Sequence, residues 1–304
     1  MHTTPTRQGR LVRGPLAALF ASLPAALVAC TASAAPTATE ILDAVEQSDE
    51  KLSSLQAKVS LTNTFELQGD TVIKQGSLAY QSNRDPDADP ETHSKSDDIP
   101  DRRLAVTFDQ EVVGVRREAD PKTYIFDGES FVEIRPADKQ YIRTQVARPG
   151  EKFDPLTLGE GPFPSPIGQR KADILERFEA AAPERLEGLP EPYHAYAKRH
   201  ELTQLHLTPK EGTDAWEEFD QIRIWYRIYT DSDDGSVWVP QVMRVVKPIG
   251  DEMVLVLVDP RINEPIDPRT FDTRPPPRGA GWNVLIKPLR DPTSDATTDA
   301  TPRP

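Results

Sequence analysis

The histidines come first as candidates for chemistry. His194, His200 and His206 recur every six residues, and His93 stands apart. A six-residue period fits neither helix nor strand geometry for one site, and no H-E-x-x-H pair occurs, so no metal centre is expected. No G-x-S-x-G nucleophile elbow is present. Gly159-Glu160-Gly161 alone is not a phosphate-cradling loop. Carboxylates are abundant, but among 49 acidic residues in 304 close pairs arise by chance, and most read as solvating surface. No catalytic set is organised, and neither an enzyme nor a cofactor is expected. One residue has a specific chemistry. Leu27-Val28-Ala29-Cys30 has the form of a bacterial lipobox, in which the thiol is acylated and becomes the new N-terminus. Cys30 is the chain's single cysteine, which excludes a disulfide framework.

Cys30 sits inside an export leader. Arg7, Arg10 and Arg13 form a basic region, Leu16 to Ala29 an apolar run, and Ala32-Ser33-Ala34 a small-residue cleavage site. Cleavage before Cys30 would give a membrane-anchored lipoprotein. Cleavage after Ala34 would give a cysteine-free soluble protein. Either places it in a bacterial-type envelope or periplasm, and the domain is indifferent to the redox state there. Removing the three leader arginines takes the net charge from −13 to −16, which repels phosphate backbones and argues against nucleic-acid partners. No stretch after residue 35 is apolar enough to span a bilayer as a helix.

The elements follow from periodicity. Thr37-Ala38-Thr39-Glu40 has the form of a capping box, and Ile41, Leu42, Val45, Leu52 and Leu55 follow near helical spacing. The pattern predicts a helix over 38–53. Alternation then predicts six or seven antiparallel strands over 57–147, with Asp127-Gly128 as the strongest hairpin signal. Residues 84–101 interrupt them as an acidic loop. A proline-rich insert over 148–192 is expected to carry one helix at 169–181. Strands resume at 202–207 and end with Trp282, Val284 and Ile286. The expectation is one domain over 36–288 with a disordered tail at 289–304. On residues 221–229 the second face carries Arg223, Trp225, Arg227 and Tyr229. It reads as a solvated face or, alternatively, as a site for an acidic partner. A meander this long must curl, because sheets twist and open edges are costly. Its apolar face then needs a plug, either the amphipathic helices or an apolar ligand.

At this point the chain resembles the outer-membrane lipoprotein carrier family, LolA and its relatives. The likeness spans residues 38–287 and rests on ordered pieces. A helix, ILDAVEQSDEKLSSLQA, runs straight into a strand. Gly76-Ser77-Leu78-Ala79-Tyr80 is followed by Arg103-Leu104-Ala105-Val106-Thr107-Phe108. Tyr124-Ile125-Phe126-Asp127-Gly128 leads to Phe131-Val132-Glu133-Ile134. Asn263, Ile266, Asp267, Phe271 and Pro276-Pro277 precede Gly281-Trp282-Asn283-Val284. The resemblance implies an α+β fold, mainly antiparallel: an unclosed, strongly curved barrel of about eleven strands with helices over its concave face. It also implies an arginine bonding the lid to the barrel, for which Arg84, Arg102 and Arg103 all qualify. In function it implies carriage of lipoprotein acyl chains or other amphiphiles by a monomer. The alternative is an anchored envelope sensor or scaffold that binds a protein partner. The lipobox and the long insert depart from the soluble carrier pattern.

Candidate ligand contacts are the alternating residues Val59, Leu61, Phe65, Leu78, Tyr80, Val106, Phe108, Tyr124, Phe126, Val132, Ile134, Ile224 and Tyr226. Each buried methylene of a ligand would contribute about 0.8 kcal/mol. The same residues could equally form a dry core against the helices.

Overall fold

The computed structural model describes residues 35–83, 101–148, 170–231 and 235–289. The leader with Cys30, the acidic stretch with Arg84 and His93, residues 149–169 and the tail from 290 lie outside the described residues.

Helix α1 (Ala38–Lys51) opens on the expected capping box. Thr37 N donates to Glu40 Oε2 at 2.7 Å, and Glu40 N donates to Thr37 Oγ1 at 3.3 Å. The helix stops where Asn263 takes over its end. Asn263 Nδ2 donates to Lys51 O at 2.9 Å, and its Oδ1 accepts from Ser53 N at 2.9 Å. That clamp needs the left-handed backbone seen at Asn263, φ 57°, which asparagine tolerates better than most residues.

Six strands then run as a meander: β1 (Ser54–Phe65), β2 (Asp70–Asn83), β3 (Asp101–Val113), β4 (Arg116–Phe126), β5 (Ser130–Arg135) and β6 (Gln140–Gln145). The insert carries α2 (Lys171–Arg177) and β7 (Phe178–Ala181), and after it come α3 (His194–Arg199), β8 (Thr203–Pro209), α4 (Asp214–Glu218), β9 (Gln221–Asp231), β10 (Gly235–Val246), β11 (Glu252–Ile262) and β12 (Asn283–Lys287). All twelve strands form one sheet in the order β12-β6-β5-β4-β3-β2-β1-β11-β10-β9-β8-β7. Every pairing is antiparallel except that of β12, which lies parallel to β6. The two meanders meet where β1 pairs β11. The expected helix at 169–181 ends at Arg177, and Phe178–Ala181 is instead edge strand β7. Pairing Phe178 with Pro209 buries the ring and fixes the edge, which outweighs the local helical pattern.

The sheet is curved. Leu205 and Leu207 on β8 share one core cluster with Tyr124 and Phe126 on β4, seven places away in the order. In a flat sheet those strands would lie about 34 Å apart. Bulges assist the bend, with register shifts at Gln56/Lys58, Phe108/Gln110 and Pro240/Val242. At the second of these β2 presses on β3. A Cβ built on Gly76 would meet Thr107 O at 1.8 Å, so only glycine fits. Gly76→Ala should therefore destabilise by about 1–3 kcal/mol or more, read as a lower urea midpoint.

Candidate functional site

The inner face is built by alternation. Val59, Leu61, Leu78, Tyr80, Val106, Phe108, Phe126, Ile224 and Tyr226 are all buried in one cluster, and Tyr124 packs against it half-buried. Ten of the thirteen candidates thus come together. Phe65 lies half-buried near the end of β1, outside that cluster. Val132 and Ile134 lie on the other face, with Ile125, Tyr141 and Phe271. The pairing gives the reason. Phe126 sits opposite Phe131 and Tyr124 opposite Glu133, so the residues between them point outward.

Helix α1 plugs the inner face. Ile41, Leu42, Val45 and Leu52 join the cluster, as do Ile174 of α2 and Phe178 of β7. What distinguishes this plug from ordinary packing is its polar fastening. Arg102 on β3 donates from Nη2 to Asp49 Oδ2 of α1 at 2.9 Å. These side chains are only 3% and 7% exposed. Of the three arginines named above, Arg102 ties the helix to the sheet, whereas half-exposed Arg103 faces Asp101 at 3.8 Å. Ser48 Oγ accepts from Trp238 N at 2.9 Å and donates to Ala44 O at 2.6 Å. Lys171 at the start of α2 reaches Asp43 at 2.6 Å. With α1 seated, a cavity of about 10 Å³ persists beside the β10 bulge, bordered by Leu78, Gln241, Met243, Leu255 and Leu257. That is room for about one water.

A buried hydroxyl stands out in this apolar cluster. Tyr226 is 1% exposed, and its hydroxyl has no hydrogen-bond partner among the described residues. Burial pushes its phenol well above the ordinary range. A buried unpaired hydroxyl costs about 1–3 kcal/mol. Tyr226→Phe should raise stability by roughly 1–2 kcal/mol, seen as a higher Tm.

The outer faces are covered from within the chain. Over the first meander lie Ile266, Phe271 and Trp282. Tyr141 donates from its hydroxyl to Thr273 O at 2.5 Å. Over the second lie Leu186, Leu189, Tyr193 and Ala197. Trp225, expected on a solvated face, is fully buried, and its Nε1 donates to Arg185 O at 2.7 Å. Arg223 donates to Glu187 Oε1 at 3.2 Å. The acidic group that answers Arg223 is the protein's own insert.

The histidines do not converge. His194 Nε2 lies 2.8 Å from Leu189 O, and the His200 ring lies tilted against that of Tyr196, with centroids 4.4 Å apart. No metal-holding group occurs among the described residues. His206 pairs with Arg223 across β8 and β9. Burial and then the Arg223 charge lower its pKa below the ordinary 6.5. The folded state therefore binds fewer protons here than the unfolded chain. Stability is full above pH 6.5 and falls as pH drops below it, toward the folded pKa. His206→Gln should lose less Tm between pH 7.5 and 5.5 than the parent.

No protein-family model matches the chain, and no curated protein matches it. Solved structures do align over most of its length. A DUF1329 family protein from Desulfovibrio piger aligns at 14% identity, covering 79% of this chain and 98% of its own, with a TM-score of 0.35. A LolA superfamily protein from Nitrosomonas europaea aligns at 12% identity over 78% and 98%, TM-score 0.32. LprF from Mycobacterium bovis aligns at 10% identity over 76% and 94%, TM-score 0.34. The likenesses are distant. With TM-scores below 0.5 they do not by themselves assign a function. Among the described residues no helix is long and apolar enough to cross a membrane.

Proposed function

We propose that this is an exported envelope protein whose inner sheet face shelters the acyl chains of lipidated proteins or of other amphiphiles, with α1 as the displaceable plug. The observation that carries this reading is the fastening of α1. Its apolar stripe occupies a continuous apolar sheet face, yet the buried tie is the ion pair of Arg102 and Asp49. Desolvating two charges offsets much of their attraction, so such a tie fixes where the helix sits without adding much net stability. An acyl chain entering beneath α1 replaces one apolar neighbour by another. Cys30, if acylated, would hold the protein at a membrane, which suits a receptor. Cleavage after Ala34 would suit a soluble carrier.

A second reading has its own support. The cavity beside the β10 bulge holds only about 10 Å³, too little for an acyl chain, and a sensor or scaffold that binds a protein partner needs no larger one. Native mass spectrometry separates the two, on protein made with its own leader and extracted gently. A lipid-sized adduct released on activation supports acyl binding. Absence of any adduct, with no uptake of a fluorescent fatty acid even by Arg102→Leu, overturns it.

A further inference from the structure

The turns at one end of the sheet carry a pattern that the inner face does not explain. Phe65 pairs Asp70, Val72 pairs Val113, Thr64 pairs Glu252, and Val246 pairs both Glu252 and Gln221. The connections β1–β2, β3–β4, β10–β11 and β8–β9 therefore lie side by side at this end. Arg102 and Trp238 lie toward the opposite end of their strands. Each of the four connections presents one large apolar side chain to solvent: Leu67 84% exposed, Val115 fully exposed, Ile249 60% and Trp216 51%.

We propose that this end of the sheet docks on a lipid surface, each turn dipping a single apolar side chain into the headgroup boundary. The connections join alternate strand pairs, so their side chains are spaced about 10 Å apart along the rim. Charged residues separate them, among them Glu66, Arg116, Arg117, Lys247 and Asp251. A protein-binding hot spot is instead a packed contiguous patch ringed by polar groups. Isolated apolar side chains between charges fit an interface that is apolar beneath and wet above, and tryptophan is favoured at that depth. The turns are also tied together. Glu66 N donates to Asp251 Oδ1 at 3.1 Å, so Leu67 and Ile249 are presented as one unit.

Charge selects the surface. Residues 66–69, 114–118, 210–220 and 247–251 hold eight acids and four basic residues. This end therefore prefers a zwitterionic surface, and anionic lipid repels it at low salt. The inference stands apart from acyl binding, since it concerns the rim and not the inner face.

Flotation with phosphatidylcholine vesicles tests it, on the full chain carrying Cys30→Ser so that no acyl anchor contributes. The parent should float with the vesicles and show a blue shift of tryptophan emission that Trp216→Phe abolishes. Leu67→Ser and Ile249→Ser should each weaken binding roughly 3–10-fold, and the quadruple Leu67→Ser, Val115→Ser, Trp216→Ser, Ile249→Ser at least 100-fold. Replacing a third of the lipid by phosphatidylglycerol should weaken binding at low salt. These side chains are exposed on turns, so an unchanged Tm certifies the variants. A parent that stays in solution, or a quadruple variant that floats as well as the parent, overturns the proposal. Fatty-acid uptake measured without vesicles should be the same in parent and quadruple variant. A parent that floats with the vesicles but takes up no fatty acid would sink acyl binding alone.

Discussion

Arg102→Leu should lower the unfolding free energy by about 3–5 kcal/mol, the usual cost of leaving a buried charge without its partner. The partner is Asp49, 7% exposed on the inner side of α1. Water reaches neither group, so screening does little to soften the loss. Asp49→Asn should cost less than Arg102→Leu, because a neutral amide can still accept the guanidinium's hydrogen bond. The double variant Arg102→Leu, Asp49→Leu should recover most of the loss, since two apolar side chains of similar volume avoid desolvation altogether. Urea unfolding of the parent, Arg102→Leu, Asp49→Leu and the double variant closes that cycle, with Asp49→Asn measured beside it. A merely structural pair would show only the stability effect. A fastening on a plug predicts more. At a denaturant-free temperature well below its Tm, Arg102→Leu should take up a fluorescent fatty acid at least several-fold faster than the parent, and the double variant should be at least as fast. Equal uptake rates would leave the ion pair in place as packing and remove it from any gating role.

The fold was legible because its signals are local and periodic. Thr37 and Glu40 mark the helix start, and alternation marks the strands. The inner cluster followed wherever a strand kept one parity, as β1 does from Leu55 to Leu61. It failed on β5, where the hairpin at Asp127-Gly128 sets the register. Asp127 Oδ1 accepts from Glu129 N and Ser130 N, and this places Phe131 inward opposite Phe126. Val132 and Ile134 are equally apolar, and hydrophobicity alone cannot tell an inner face from an outer face that another segment covers. The same difficulty hid Trp225. Its alternation with Ile224 and Tyr226 is that of a two-sided buried strand, but the cover comes from residues 183–199, whose proline-rich sequence has no period to read. Arg102 and Asp49 were not legible as a pair. They are 53 positions apart, and only the fold brings them together.

The cover over Trp225 leads to the second large effect. Trp225→Ala should cost about 3–5 kcal/mol, the range for deleting a fully buried large side chain. Trp225→Phe keeps most of the ring volume and removes the hydrogen bond to Arg185 O, so it should cost roughly 1–2 kcal/mol. The two losses differ in where they act. Trp225 joins the sheet to the end of the insert and the segment just after it, together 183–199: Leu186, Leu189, Tyr193 and Ala197 pack in its cluster, while Val242, Val254 and Val256 line the sheet side. Gln204 Nε2 and Arg223 also hold the insert, through Glu187 O. With the indole gone, those polar ties remain, but the apolar contact beneath them does not. The insert should then open locally at a lower free energy than the sheet. Arg185, Lys198 and Arg199 lie in the cover over 183–199, so limited trypsin digestion should cut there in Trp225→Ala at least tenfold faster than in the parent, before the inner face unfolds. Cleavage that tracks global unfolding instead would mean insert and sheet melt as one unit, with Trp225 serving the whole domain and not its outer cover.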